Sequence, residues 1–192
     1  MELLLIRHSM TPGNLKKQYV GSTDQPLSQE GEALARQRRE TMPPVDGLWV
    51  SPLKRCRQTA ELLFPGMEQH IVSDLQECDF GDYECKTWEE LKDEEIYRAW
   101  ISGDFSITFP HGESMQAFIS RCRRGIQEVA REAKDLGLER AAVVAHGGTW
   151  IVVMGSFGRP ERKLHDWQMK NCRGFRVSVQ EDPFTLTLLE EV

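Results

Sequence analysis

The stretch LLLIRHSMTPGN, residues 3–14, sets four consecutive apolar side chains directly before an arginine and a histidine. A short run without polar alternation reads as a β-strand covered on both faces, since a half-exposed strand would alternate. Such strands belong to a sheet with helices on either side. Arg7 and His8 then stand where the strand ends. In open α/β sheets that edge is where ligands bind, because neighbouring helix N-termini offer unpaired N–H groups.

Working outward, the chain repeats this arrangement. DGLWVSP (46–52) reads as a second strand that stops at Pro52, and RAAVVAHGG (140–148) as a third. Ser28 is placed to cap a helix through about Glu40, with Ala33, Leu34 and Gln37 on its apolar stripe. Ser51 and Pro52 have the chemistry of an N-cap and a first helical residue, which predicts a helix through Leu63. Residues 87–101 also read as helical. So do residues 113 to about 136, which Gly137 ends, and an apolar segment from Thr149. RGFRVSV (173–179) and FTLTLLEEV (184–192) have strand composition and can pair around Glu181-Asp182-Pro183. No repeat, low-complexity linker or boundary interrupts the pattern, so residues 1–192 are expected to form one α/β domain.

The chain has 192 residues, enough to bury a core. Its net charge is −6 with both signs interspersed, so no broad basic face recommends nucleic acid or a membrane as partner. The small basic clusters Lys16-Lys17, Arg36–Arg39 and Arg121–Arg124 read as solvated surface, because acidic residues lie near each. Five cysteines without a C-x-x-C pair argue against a disulfide scaffold and a structural zinc site. No apolar run approaches the ~20 residues of a membrane span, and the start is too short and wrongly flanked for a signal peptide. The expectation is a soluble protein of a reducing cytoplasm.

Three strand ends carry chemistry: Arg7-His8, Ser51-Pro52 with Arg55, and His146-Gly147-Gly148. If the strands are neighbours, two histidines and two arginines meet in one crevice. His70, His111 and His165 lie in polar, loop-like contexts without such a setting. Arginine binds a phosphoryl group through charge-assisted, often bidentate hydrogen bonds. A neutral imidazole can attack phosphorus and hold the group covalently. A second imidazole can donate to a phosphoryl oxygen as charge shifts in the transition state. A carboxyl group with a raised pKa would protonate the leaving alcohol and later take a proton from water. LQECDFGDYE (75–84) offers Glu77, Asp79, Asp82 and Glu84.

LIRHSMTPGN, GSTDQPLSQEG, SPLKRCRQTAELL, LQECDFGDYE, FPHGESMQAFISR and VVAHGG resemble, in order, the blocks of the histidine phosphatase superfamily. That superfamily includes the cofactor-dependent phosphoglycerate mutases and the alpha-ribazole phosphatase-like enzymes, and the latter branch is the nearer match. The resemblance runs from residue 3 to about 155. It implies a three-layer α/β/α sandwich with a mainly parallel sheet, and a phosphohistidine mechanism that uses no metal and no cofactor. Carried over residue by residue, His8 is the nucleophile and Glu77 the proton donor. Arg7 and Arg55 grip the phosphoryl oxygens, Asn14 donates a further hydrogen bond, and His146 completes the pocket. Gly147 lets the backbone approach the phosphate closely. Asp79, Asp82 and Glu84 are read as solvated loop carboxylates.

The implied activity is hydrolysis of a small phosphorylated metabolite, with alpha-ribazole 5′-phosphate, sugar phosphates and other small phosphomonoesters all open. A phosphoglycerate mutase-type phosphotransferase is the alternative. The chain is short between Glu77 and the 113–136 helix, where mutases carry substrate-gripping insertions, and this favours hydrolysis. Two readings from other classes are a metallohydrolase using His8, His146 and a carboxylate as ligands, and a non-catalytic phosphate-binding module. Two departures bear on substrate fit. Ser9-Met10 stands where relatives usually carry Gly-Glu, and Cys85 stands where glycine is common. Oligomeric state is not readable from the sequence.

Overall fold

Leu3, Leu4, Leu5 and Ile6 are fully buried, and they face two different cores. Leu3 and Leu5 join the larger apolar cluster, Leu4 and Ile6 the smaller. The alternation is a strand's ordinary period of two; the run is wholly apolar because both faces are covered. Each such leucine contributes roughly 1.5–3 kcal/mol through burial.

The computed structural model describes residues 1–192. Seven strands form one sheet: β1 (Glu2–Arg7), β2 (Gly47–Val50), β3 (His70–Ile71), β4 (Arg140–Ala145), β5 (Gly158–Arg159), β6 (Gly174–Glu181) and β7 (Phe184–Glu191). Their order is β3-β2-β4-β1-β6-β7-β5. The run β3-β2-β4-β1 is parallel, β6 and β7 add antiparallel, and β5 closes the edge parallel to β7.

The helices are α1 (Pro12–Leu15), α2 (Gln29–Arg39), α3 (Lys54–Leu63), α4 (Trp88–Leu91), α5 (Glu95–Ile101), α6 (Met115–Asp135) and α7 (Gly147–Phe157). Side chains of α2 and α3 pack in the smaller core, and those of α6 and α7 in the larger. The architecture is therefore the expected α/β/α sandwich. In α6, Met115, Phe118, Cys122, Ile126, Val129 and Ala133 are buried at three- and four-residue steps. Ser114 caps it by accepting from Ala117 N, and Gly137 at φ +70° follows its end.

Several boundaries differ from the sequence reading. The helix expected from Pro52 starts at Lys54, with Leu53 at the cap position and no side-chain cap. The segment 87–101 is two short helices, and β3, β5 and α1 are additional elements. In α2 the buried positions are Gly31 and Ala35, with Ala33 and Gln37 exposed, so the stripe is rotated from the one expected. Gly31 lies there because a Cβ would sit 2.0 Å from the carbonyl oxygen of Met10.

Candidate active site

The register of three parallel strands assembles the site. Arg7 lies level with Ala145, and Val50 with Val144, so β2, β4 and β1 end side by side at their carboxyl edge. The residues that follow are Ser51, His146 and His8. All three are buried. The two imidazole rings stand 5.2 Å apart, centroid to centroid, edge to face at 64°.

The hydrogen bonds define each ring's protonation. His8 Nδ1 lies 2.6 Å from the carbonyl oxygen of Ser9, which can only accept, so Nδ1 carries the proton and Nε2 bears the lone pair. Arg55 Nε donates to His146 Nδ1 at 3.2 Å, so His146 holds its proton on Nε2 and donates it to Ser51 Oγ at 2.7 Å. Burial first, then the nearby Arg55 and Arg7 guanidiniums, hold the pKa of His8 well below the usual 6.5. Burial, Arg55 and His8 depress His146 in the same direction. Both rings are neutral at neutral pH. Cys56 Sγ approaches His146 Nε2 at 3.4 Å, yet burial pushes its thiol up to about 12, so it remains a thiol.

Arg7 donates Nη1 to the carbonyl of Met169 at 2.7 Å, while its buried Nε has no partner within the protein. Arg55 is fully buried, and its terminal nitrogens donate to the carbonyls of Thr23 at 2.8 Å and Gly21 at 2.6 Å. The strap 21–23 is in turn held by Glu84, whose carboxylate accepts from the N–H groups of Gly21, Ser22, Thr23 and Phe80. Glu84 is therefore not a solvated carboxylate. Asp79 is likewise engaged, accepting from Ser22 Oγ and Gly81 N. Asp82 is exposed beside His111.

Glu77 lies between the loop after β3 and the N-terminus of α7. Its Oε2 accepts from Gly148 N at 2.9 Å and its Oε1 from Cys78 N at 3.1 Å. Burial raises its pKa above 4.5, outweighing the opposing pull of those N–H groups and of Arg55 and Arg7. Gly148, rather than Gly147, makes room for it. At Gly147 a Cβ would instead come 3.2 Å from Arg7 Nε. Asn14 accepts through Oδ1 from Thr11 N and Asn171 Nδ2, which leaves its amide nitrogen as its remaining polar atom.

Several supporting roles lie outside the sequence reading. Ser51 has the chemistry of a helix cap and is instead the partner of His146. Asn171 donates to the carbonyl of His8 at 3.1 Å. Thr59 accepts from Ser9 N and donates to the carbonyl of Arg55, tying nucleophile and arginine together. Arg121 belongs to a cluster expected to be solvated, yet it pairs with Glu113 at 2.7 Å and donates to the carbonyls of Asp74, Gln76 and Glu77. Ser9 is buried, and its hydroxyl donates to the carbonyl of Gly31. Its side chain is thus absorbed by α2. Cys85 takes φ +61°, the left-handed conformation that explains a glycine preference there. The remaining histidines join no site: His70 stacks on Trp49 and His165 lies beside Asp166.

Glu77 and Gly148 also form one wall of a cavity of about 430 Å³ that is lined mainly by apolar side chains and by neither histidine. No group of three or more His, Cys, Asp or Glu side chains is arranged to hold a metal ion. No helix is long and apolar enough to cross a membrane.

Residues 3–192 match the model of the histidine phosphatase superfamily, branch 1. The chain belongs to this superfamily. It is 34% identical to the adenosylcobalamin/alpha-ribazole phosphatase of Salmonella typhimurium strain LT2, over 98% of this chain and 96% of that one. The crystal structure of the alpha-ribazole phosphatase from Shigella flexneri superposes with a TM-score of 0.81 at 27% identity, covering 98% of this chain and 96% of that chain. A phosphoglycerate mutase from Thermus thermophilus superposes with a TM-score of 0.74 at 30% identity, covering 100% of this chain and 98% of that chain. The histidine phosphatase fold and the likeness to alpha-ribazole phosphatases are thus those expected from the ordered sequence blocks. The phosphatase relatives favour hydrolysis over the mutase alternative.

Proposed function

We propose that this protein hydrolyses a small phosphomonoester through a phosphohistidine on His8. The observation that carries the reading is the 2.6 Å hydrogen bond from His8 Nδ1 to its neighbouring carbonyl, which leaves a neutral Nε2 lone pair free beside the buried Arg55 and the half-buried Arg7.

In the first step Nε2 attacks phosphorus, forming a P–N bond as the ester P–O bond breaks. Glu77, whose pKa burial raises, gives its proton to the departing alkoxide oxygen. Arg7 and Arg55 neutralise the equatorial oxygens; Arg7 brings a free Nε–H, and Arg55 turns from the carbonyls of the 21–23 strap. Asn14 supplies a further donor through its amide nitrogen, and His146 does so by turning its Nε2–H from Ser51 Oγ to the phosphoryl group. In the second step the Glu77 carboxylate takes a proton from water, whose oxygen attacks phosphorus. The P–N bond breaks, inorganic phosphate forms and the His8 lone pair is restored.

No cofactor or metal enters this cycle. Its proton transfers and charge neutralisation are assigned to His8, Glu77, Arg7, Arg55, His146 and Asn14 alone. One phosphomonoester of this class is alpha-ribazole 5′-phosphate, suggested by the name of the Salmonella relative. The five free cysteines fit work in a reducing cytoplasm.

The test is hydrolysis of p-nitrophenyl phosphate in the presence of EDTA, comparing the wild type with His8→Ala. Turnover that persists under chelation and disappears in the variant is expected. Turnover abolished by EDTA would make the histidines metal ligands and overturn the cycle.

A further inference from the structure

The cavity beside Glu77 carries information about the leaving alcohol, on the premise that the phosphatase reading holds. Glu77 belongs both to the polar cluster and to the cavity wall, so a group released beside its carboxyl enters this space. Of the 14 residues that line the cavity, 10 are hydrophobic, and none is Lys, Arg or His. The walls come from three helices: Trp100 of α5, Phe118 and Ile119 of α6, and Ile151 of α7. Phe80 packs on Trp100 with ring centroids 5.4 Å apart, so the aromatic wall is braced. At the mouth, Phe105 and Leu164 remain 36% and 38% exposed, a pair of large apolar side chains without cover.

We infer that the preferred substrates are phosphomonoesters of uncharged, hydrophobic alcohols, with an alkyl or aryl-alkyl body seated in this cavity. Two considerations carry the inference. Apolar pockets of a few hundred Å³ with one or two polar groups at one end are the usual form of a site for a mainly apolar ligand. A carboxylate on the leaving group would be buried beside Glu77 with no cation to receive it, and the carbinol groups of a bare sugar would lose water without gaining partners. The same absence of cations distinguishes the site from one built to hold a phosphorylated hydroxy acid.

The test is a matched series at one pH. Ethyl, butyl, hexyl and 2-phenylethyl phosphate are compared with glycerol 3-phosphate, ribose 5-phosphate, 3-phosphoglycerate and phosphoserine, in wild type and His8→Ala. The expected kcat/KM rises about fourfold per methylene added within the cavity. The carboxylated esters fall below 2-phenylethyl phosphate by on the order of 100-fold. Phe105→Ala, on an exposed loop where folding is not at stake, lowers kcat/KM for 2-phenylethyl phosphate several-fold and leaves ethyl phosphate within about twofold. Ile119→Lys, which places a cation in the wall, raises 3-phosphoglycerate relative to hexyl phosphate. A His8-dependent activity that is flat across the alkyl series, or greatest on the sugar or carboxylated esters, overturns the inference and leaves the phosphatase reading intact. Turnover indifferent to His8→Ala overturns the phosphohistidine reading on which the inference rests instead. Titration calorimetry with ethyl- and hexylphosphonate then decides on the cavity without catalysis: tighter binding of the hexyl compound by the same factor per methylene supports it, and equal affinities refute it.

Discussion

Gly148 donates its backbone N–H to Glu77 Oε2 at 2.9 Å, and a Cβ at position 148 would lie 2.5 Å from the other carboxyl oxygen, Oε1. The first turn of α7 therefore both holds and crowds the proposed acid. Gly148→Ala should push Glu77 out of line. On an alkyl phosphate kcat should drop by about 10- to 100-fold, part of the 10²–10⁴-fold that a positioned acid supplies. p-Nitrophenyl phosphate, whose leaving group needs little protonation, should lose only a few-fold. Glu77→Gln should show the same split. A parallel loss on both esters would remove Glu77 from the acid role.

The pH profile should have two limbs of different origin. As pH falls well below 6.5, His8 protonates and loses its nucleophilic lone pair. As pH rises through the raised pKa of Glu77, the acid is lost, so kcat/KM on an alkyl ester declines. Glu77→Gln should abolish the alkaline limb and keep the acid one.

Stability follows the same groups with opposite signs. Below 6.5 the unfolded chain binds protons that the buried, neutral His8 and His146 refuse, so their contribution is complete above 6.5 and is lost as pH falls toward their folded values. Glu77 acts in the other direction: its contribution is lost as pH rises from 4.5 through its folded value. His146→Asn should therefore flatten the decline of the urea midpoint between pH 7 and 5, roughly the range in which an ordinary histidine titrates. An unchanged slope would mean the ring is charged in the folded protein.

Arg121 is the brace of the acid loop. Its side chain and that of Glu113 are each 16% exposed, and it donates to three carbonyls of residues 74–77. Arg121→Met should destabilise by about 2–3 kcal/mol, below the 3–5 of a fully buried pair, because the partly buried Glu113 and three carbonyls lose their partner. Arg121→Lys should recover only part of this, since an ammonium cannot fork to carboxylate and carbonyls together. A change below roughly 0.5 kcal/mol in the methionine variant, the scale of an ordinary surface substitution, would contradict the assignment.

Cys85 holds a left-handed conformation at φ +61°. Cys85→Gly should stabilise by about 1 kcal/mol, the cost a Cβ carries there, with kcat unchanged. A melting temperature that falls would show that the Sγ contacts with Gln25 and Thr23 outweigh the strain.

The strand ends are legible in the sequence because burial on both faces leaves an apolar run that stops abruptly, as at Ile6 and Ala145. The histidines and arginines beyond them can be paired from that pattern alone. Glu77 cannot: four carboxylates share its loop, and only the family pattern separates them. Ser51 misleads because a serine before proline has the chemistry of a cap, while its actual partner lies 95 positions away. Glu84 and Arg121 resemble surface groups for the same reason. Their partners are backbone groups of distant segments, and a backbone amide leaves no signature in sequence. The two-residue strands β3 and β5 are too short for any period to show.

The position of β1 in the sheet bears on biosynthesis. Its two neighbours, β4 and β6, begin at Arg140 and Gly174, and the carbonyl of Met169 and the amide of Asn171 complete the setting of Arg7 and His8. A nascent chain that has emerged only through Gly137 contains α1 to α6 but presents β1 with both edges bare. Every pairing of β1 must close a loop of more than a hundred residues, a slow class of contact. The nucleophile is thus translated well before the strands and loop that position it. Until then LLLI is an apolar strand with unpaired edges, a segment that calls for chaperone cover during synthesis.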